Sequence, residues 1–162
     1  MKGTKTNCTA RGLVAAFLLC AILALTSSAH GQPMPDVLGE WRASLERVAE
    51  LNAHGRWSNR VYTHQAPIAG VEVNLMEGPG PGTLFVPEGE VAANDAPLGF
   101  SSTYETLNVA GHRGILERGE ILGQALAISL GKDRTLTLET KSLSREEFLS
   151  FAEKLTAALE GK

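Results

Sequence analysis

The sequence predicts an α+β fold: a mainly antiparallel sheet of about six strands, with an N-terminal and a C-terminal helix packed on one face. Three observations predict it. Apolar residues recur every three to four positions near residues 38–52 and again at residues 148–159. Between them the period falls to two. Two of the alternating runs flank a short polar turn, Gly131–Arg134, which is the pattern of an antiparallel hairpin.

The first predicted helix follows Asp36, a good N-cap. Leu38, Trp41, Leu45, Val48 and Asn52 fall on one side, while Glu40, Arg42, Glu46, Arg47 and Glu50 lie elsewhere. His54-Gly55 closes it, with glycine suited to the left-handed position after a helix. Arg60–Gln65 reads as a strand and Pro67–Gly70 as a turn. Val71, Val73 and Leu75 alternate with Glu72 and Asn74, as a half-buried strand should. Gly78-Pro79-Gly80-Pro81-Gly82 excludes regular structure. Thr83–Val86 is a short strand closed by Pro87, and Glu88–Gly99 is a loop.

Ser102–Val109 places Glu105, Leu107 and Val109 on one face. Gln124–Leu130 and Thr135–Thr140 flank Gly131-Lys132-Asp133-Arg134 and form a hairpin, with Leu126, Ile128, Leu136 and Leu138 facing inward. Ser144-Arg145-Glu146-Glu147 is a capping box. Phe148, Phe151, Ala152, Leu155, Ala158 and Leu159 then make one helical stripe that Gly161 ends.

The N-terminus carries its own signature. Lys2, Lys5 and Arg11 precede thirteen unbroken apolar residues, Leu13–Leu25, and then Thr26-Ser27-Ser28-Ala29. That order is a secretory signal peptide over residues 1–29. A membrane-spanning helix needs about 20 apolar residues, so the run is short for an anchor. Phe17-Leu18-Leu19 before Cys20 lacks the small residue that a lipid-anchoring site needs. Cleavage after Ala29 would leave His30 first; cleavage after Gly31 would leave Gln32. Residues 30–35 are an extended lead-in and 36–162 a single domain, placed in the periplasm or outside the cell.

The charge balance narrows the partners. The chain has 15 basic and 18 acidic residues, and losing Lys2, Lys5 and Arg11 leaves 12 against 18. An acidic domain suits neither nucleic acid nor anionic membrane surfaces. The two cysteines, Cys8 and Cys20, leave with the signal, removing any thiol nucleophile, cysteine metal ligand or disulfide from the mature chain.

A resemblance enters through the C-terminal half. Gly111-His112-Arg113-Gly114, then a hairpin, then Leu143-Ser144-Arg145-Glu146-Glu147-Phe148 and Ala152-Glu153-Lys154-Leu155 form one layout. Over Tyr104–Leu159 it resembles bacterial extracytoplasmic domains of unknown function, found in lipoproteins and attached to anti-sigma and sporulation regulators. The resemblance implies an envelope location and a polar-faced hairpin before a capped helix. It implies no catalytic residue.

The candidate sites are few. Val109–Glu120 concentrates one histidine, two arginines and two carboxylates. Extended geometry puts His112, Gly114, Leu116 and Arg118 on one face and Arg113, Ile115 and Glu117 on the other. His112 and Glu117 therefore do not form a dyad, and Gly111 and Gly114 suggest a bend. Arg113 facing Glu139 on a neighbouring strand would be an exposed charge pair. His30, His54, His64 and His112 show no paired metal-ligand spacing. One metal arrangement is conceivable: a mature N-terminal His30, chelating copper through its amine and imidazole with His112 completing the site. No cofactor motif and no catalytic motif is present. Trp41 and Tyr104 are expected in the core, and Trp57, Phe85 and Phe100 are the candidates for contacts with a partner.

The functional expectation is an exported, non-enzymatic protein that binds a partner protein or a small ligand in the envelope. A periplasmic metal- or ligand-handling protein using His30 is the alternative, and an enzyme of unidentified class the third reading.

Overall fold

A computed structural model of the chain describes residues 33–52, 55–65, 67–79, 89, 102–119 and 123–161. All belong to one compact unit, Gln32–Lys162. The elements are β1 (Val37–Leu38), β2 (Trp41–Ala43), β3 (Arg47–Asn52), β4 (Gly55–Gln65), β5 (Ile68–Glu77), β6 (Ser102–Val109), β7 (His112–Gly119), β8 (Gly123–Ser129), β9 (Arg134–Thr140) and helix α1 (Arg145–Leu159). Among the described residues there are thus nine strands and one helix, not six strands and two helices. Antiparallel pairing holds throughout, in the order β1-β2-β4-β5-β9-β8-β7-β6, with β3 also on β4. After β5 the chain goes to the far edge and returns strand by strand to close on β5.

The expected N-terminal helix is the main correction. Its residues form β1, β2 and β3 instead. Gly39 has φ +63°, at the first position of the two-residue turn joining Leu38 to its partner Trp41. A tight hairpin favours glycine at that position, and the same glycine inside a helix costs about 1 kcal/mol against alanine. β2 and β3 then run along one edge of β4, separated by a bulge. Ser44 N donates to Val61 O at 2.8 Å, and Val61 N donates to Ser44 Oγ at 3.0 Å. The next pair, Arg47 with Asn59, is shifted by one residue, so Leu45 and Glu46 together oppose Arg60. Leu45, the middle of the predicted apolar stripe, is 91% exposed, and Val48 is 47% exposed. The helical spacing was real as a pattern, but β4 offers these residues an unpaired backbone edge. Ladder hydrogen bonds to that edge decide the outcome.

Alternation does predict the sheet interior. Tyr62, Val71, Val73, Leu75, Leu116, Leu126, Ile128, Leu136 and Leu138 are all buried, and Phe148, Phe151, Ala152, Leu155 and Leu159 of α1 complete the core. The hairpin β8–β9 forms as expected, with Leu126 opposite Leu138 and Ile128 opposite Leu136. β4 begins at Gly55, five residues before the expected Arg60, and Ile68 belongs to β5. The expected strand Thr83–Val86 lies outside the described residues, as does the loop Glu88–Gly99 apart from Gly89.

The helix begins where the capping box predicts. Glu147 N donates to Ser144 Oγ at 3.3 Å, and Ser144 N donates to Glu147 Oε2 at 3.0 Å. Both ends of α1 are tied to the sheet. Arg145 meets Glu105 of β6 at 2.8 Å, and Glu160, just past the last turn, meets His112 at the start of β7. The helix therefore lies fixed across the apolar face. Among the described residues no helix is long and apolar enough to cross a membrane.

Candidate functional site

The segment Val109–Glu120 resolves into a hairpin. Ala110 (φ 51°) and Gly111 (φ 94°) form a two-residue turn between Val109 and His112, both in the left-handed region that such a turn demands. Gly111 N donates to Asn108 Oδ1 at 2.9 Å and secures it. The chain continues as a straight strand, not a bend at Gly114, and the expected faces are correct: Gly114 and Leu116 are buried on the helix side. Gly114 is needed there because a Cβ would press on Ala127 O and a Leu126 methyl, each at 3.3 Å.

His112 is half-buried. Its Nδ1 faces Ser129 O at 3.1 Å and its Nε2 faces the Glu160 carboxylate. With both ring nitrogens engaged, it holds the end of α1. His30, its suggested partner, lies outside the described residues. Among the described residues no group of three or more metal-ligating side chains comes together. Arg113 does not face Glu139. Glu139 stands in register with Glu72 and Ala125, and Ala125 with Glu117, whereas Arg113 is paired with Asn108.

Of the partner-contact candidates, only Trp57 falls among the described residues. Trp57 is not an exposed anchor after a helix. It lies within β4, half-buried opposite Met76, on the face away from α1. Phe85 and Phe100 lie outside the described residues. Tyr104 is half-buried on that same outer face, where its hydroxyl donates to Glu117 Oε1 at 3.2 Å; it is not core.

What the fold does assemble is a cleft of about 440 Å³ between the start of α1 and the β1–β2 and β4–β5 turns. Its apolar lining is Trp41, Ala69, Leu143 and Phe151; its polar lining includes Glu40, His64, Glu146, Glu147, Ser150 and Lys154. The local reasons are clear. The Gly39–Glu40 turn lifts Glu40 beside Trp41. The β4–β5 hairpin carries His64 and Pro67 to the same end. On α1, positions 147, 150, 151 and 154 share one side by helical spacing. The aromatic floor is ordered by edge contacts: the Trp41 ring lies 4.9 Å from that of Phe151, and Tyr62 lies 5.3 Å from Phe151, both near perpendicular. Trp41, expected in the core, is partly buried and forms the wall of this cleft.

His64 is the cleft's titrating group. Nε2 lies 3.1 Å from Glu40 Oε2, Nδ1 lies 3.2 Å from Pro67 O, and the ring sits tilted 5.2 Å from Trp41. The Glu40 hydrogen bond, then that of the Pro67 carbonyl, holds its pKa above the usual 6.5, and Glu147 adds a smaller push in the same direction. Glu147 is held below its ordinary 4.5, chiefly by the Ser144 amide and then the Ser144 hydroxyl. A histidine with both nitrogens occupied by oxygen acceptors is a poor general base, because the base needs a free lone pair toward the reacting proton. Chemically, this arrangement can recognise and orient a bound group.

A second polar cluster closes the opposite side of Tyr62. The Tyr62 hydroxyl donates to Pro35 O at 2.7 Å, Arg60 pairs with Asp36, and the Glu46 Oε1 atom is buried beside them without a partner. Burial pushes the Tyr62 pKa up to about 12. With Met34 and Leu38 buried in the core, these contacts turn the lead-in into a structural plug.

Sequence reasoning missed the cleft. His64 stands 24 residues from Glu40, and nothing local links them. The one available signal was the polar run Glu147, Ser150 and Lys154 beside Phe151, on a helix otherwise read only for its core stripe. Compared with protein-family models, curated proteins and solved structures, the chain matches none of them.

Proposed function

We propose that the protein is exported, non-catalytic and binds a small ligand in the cleft between the start of α1 and the β1–β2 and β4–β5 turns. The observation that carries this reading is the cleft itself. Its volume of about 440 Å³ lies within the range of roughly 300–1,000 Å³ common for small-molecule sites. An apolar floor with a few converging polar groups is the composition such sites have. The occupied ring nitrogens of His64 favour recognition over acid–base catalysis. Export rests on the charge, apolar and small-residue order of residues 1–29.

The binding claim is tested by titrating a chemically diverse set of small molecules into the protein and following the Trp41 indole N–H and His64 ring resonances. Ligands of the cleft shift both, while Trp57, on the other face, serves as the internal reference. If no compound moves the two resonances together, the cleft is not a ligand site. Export is tested separately by intact-mass measurement on the full chain expressed in a bacterial host. A mature form starting at His30 or Gln32 supports it, and a full-length cytosolic form overturns it.

A further inference from the structure

Resting on that cleft as the ligand site, we propose that its occupant is a small organic cation: an amine or quaternary ammonium carried on a short apolar body. Charge complementarity around an aromatic floor favours such a ligand. Three carboxylates line the cleft, Glu40, Glu146 and Glu147, against one permanent cation, Lys154. His64 adds positive charge only when protonated, and that charge is matched by Glu40 at 3.1 Å. The cleft is net negative in either state.

The start of α1 would ordinarily draw an anion, since helix N-termini present unpaired N–H groups and positive charge. Here that pull is already met. Glu146 and Glu147 occupy the first turn, and Glu147 Oε2 accepts from both the amide and the hydroxyl of Ser144, at 3.0 and 2.8 Å. No arginine is among the residues lining the cleft, so a carboxylate or phosphate ligand would find no bidentate partner. A cation finds acidic oxygens on the rim and an indole on the wall, and indole is the best aromatic partner for an ammonium group. The apolar body of the ligand takes the surface offered by Ala69, Leu143 and Phe151.

The charged groups facing His64 are Glu40 from the β1–β2 turn and Glu146, Glu147 and Lys154 from α1. Losing the imidazolium proton makes the cleft more negative. Cation binding therefore tightens as pH rises through the titration of His64, and anion binding would weaken.

The test uses three probes of one shape: phenylpropylamine, its carboxylate counterpart phenylpropionate, and the neutral phenylpropanol. Each is titrated into the mature protein at mildly alkaline pH and followed at the Trp41 indole N–H. The amine is expected to bind about tenfold or more tighter than either counterpart, the scale of one to two net charges at partly screened distances. Two exposed helix positions test the cause without disturbing the core. Glu146→Gln should weaken amine binding about two- to fivefold, and Lys154→Gln should strengthen it by a similar factor. Carboxylate or alcohol binding as tight as the amine overturns the proposal while leaving the ligand site standing, and so does amine affinity unmoved in both variants. Binding of none of the three overturns the cation proposal too, while the ligand site falls only if the diverse set of small molecules also leaves the Trp41 and His64 resonances unmoved.

Discussion

Leu45 separates the strand from the helix more sharply than any other position. As the centre of an amphipathic helix stripe it would be buried, and a polar substitution would cost about 2–5 kcal/mol. In the folded chain it is the outward residue of the bulge between β2 and β3, 91% exposed. Full burial of a leucine contributes about 1.5–3 kcal/mol, so the roughly one-tenth that is covered contributes only about 0.2 kcal/mol. At the bulge it shares a single opposite residue, Arg60, with Glu46. Leu45→Gln should therefore change stability by less than about 0.5 kcal/mol. Leu138→Ala, at a fully buried position opposite Leu126 and Val73, should cost about 2–5 kcal/mol under the same conditions. Urea titrations of the mature protein, followed by far-ultraviolet circular dichroism, give both numbers, with an unchanged denaturant slope confirming a common reference state. A loss above about 2 kcal/mol for Leu45→Gln would refute the bulge and restore a buried stripe.

Other substitutions probe other contacts of the fold. Gly123 has φ +85°, and a Cβ there would lie 2.4 Å from the Thr140 carbonyl oxygen. Gly123→Ala should cost at least about 2 kcal/mol in the same titration, from left-handed strain plus backbone collision. Ser144→Ala removes the N-cap of α1 and should cost about 1 kcal/mol. Glu147 titrates below 4.5, so its share of stability is present above 4.5 and fades as pH falls through its folded value. In Ser144→Ala the Glu147 pKa, read by carboxyl carbon NMR, should move back up. For His64 the sign is opposite. Its folded pKa lies above 6.5, so its contribution is complete below 6.5 and is lost as pH rises through the folded value. A proton NMR titration should place His64 above 6.5, and Glu40→Gln should lower it; an unmoved value would break the Glu40–His64 pair.

How much of this was legible depended on where the deciding contacts lay. The cap at Ser144 and the stripe Phe148–Leu159 need only the neighbouring turn of chain, and both form as read. The β8–β9 hairpin is likewise local: two alternating runs and a four-residue turn settle its register. Residues 38–52 were ambiguous because Leu38, Trp41, Leu45 and Val48 satisfy helical spacing while Gly39 and the Val37-Leu38, Trp41-Arg42 pair satisfy a hairpin. Only the presence of β4, whose edge needs partners for its backbone groups, chooses between them. The outward placement of Trp57 is set by the β4–β5 register and that of Tyr104 by the β6–β7 register, since a strand slip of one residue exchanges the two faces.

The sequence by itself determined the acidic excess of residues 30–162, the antiparallel sheet interior and the final helix, because each is written in composition or in contacts a few residues apart. Tertiary structure alone decided that the expected first helix is an edge of strands, that His112 holds the end of α1, and that Glu40, Trp41 and His64 meet Glu147 and Lys154 across a cleft. Those groups are brought together by ladder register and helix docking, which depend on contacts between residues far apart in the chain.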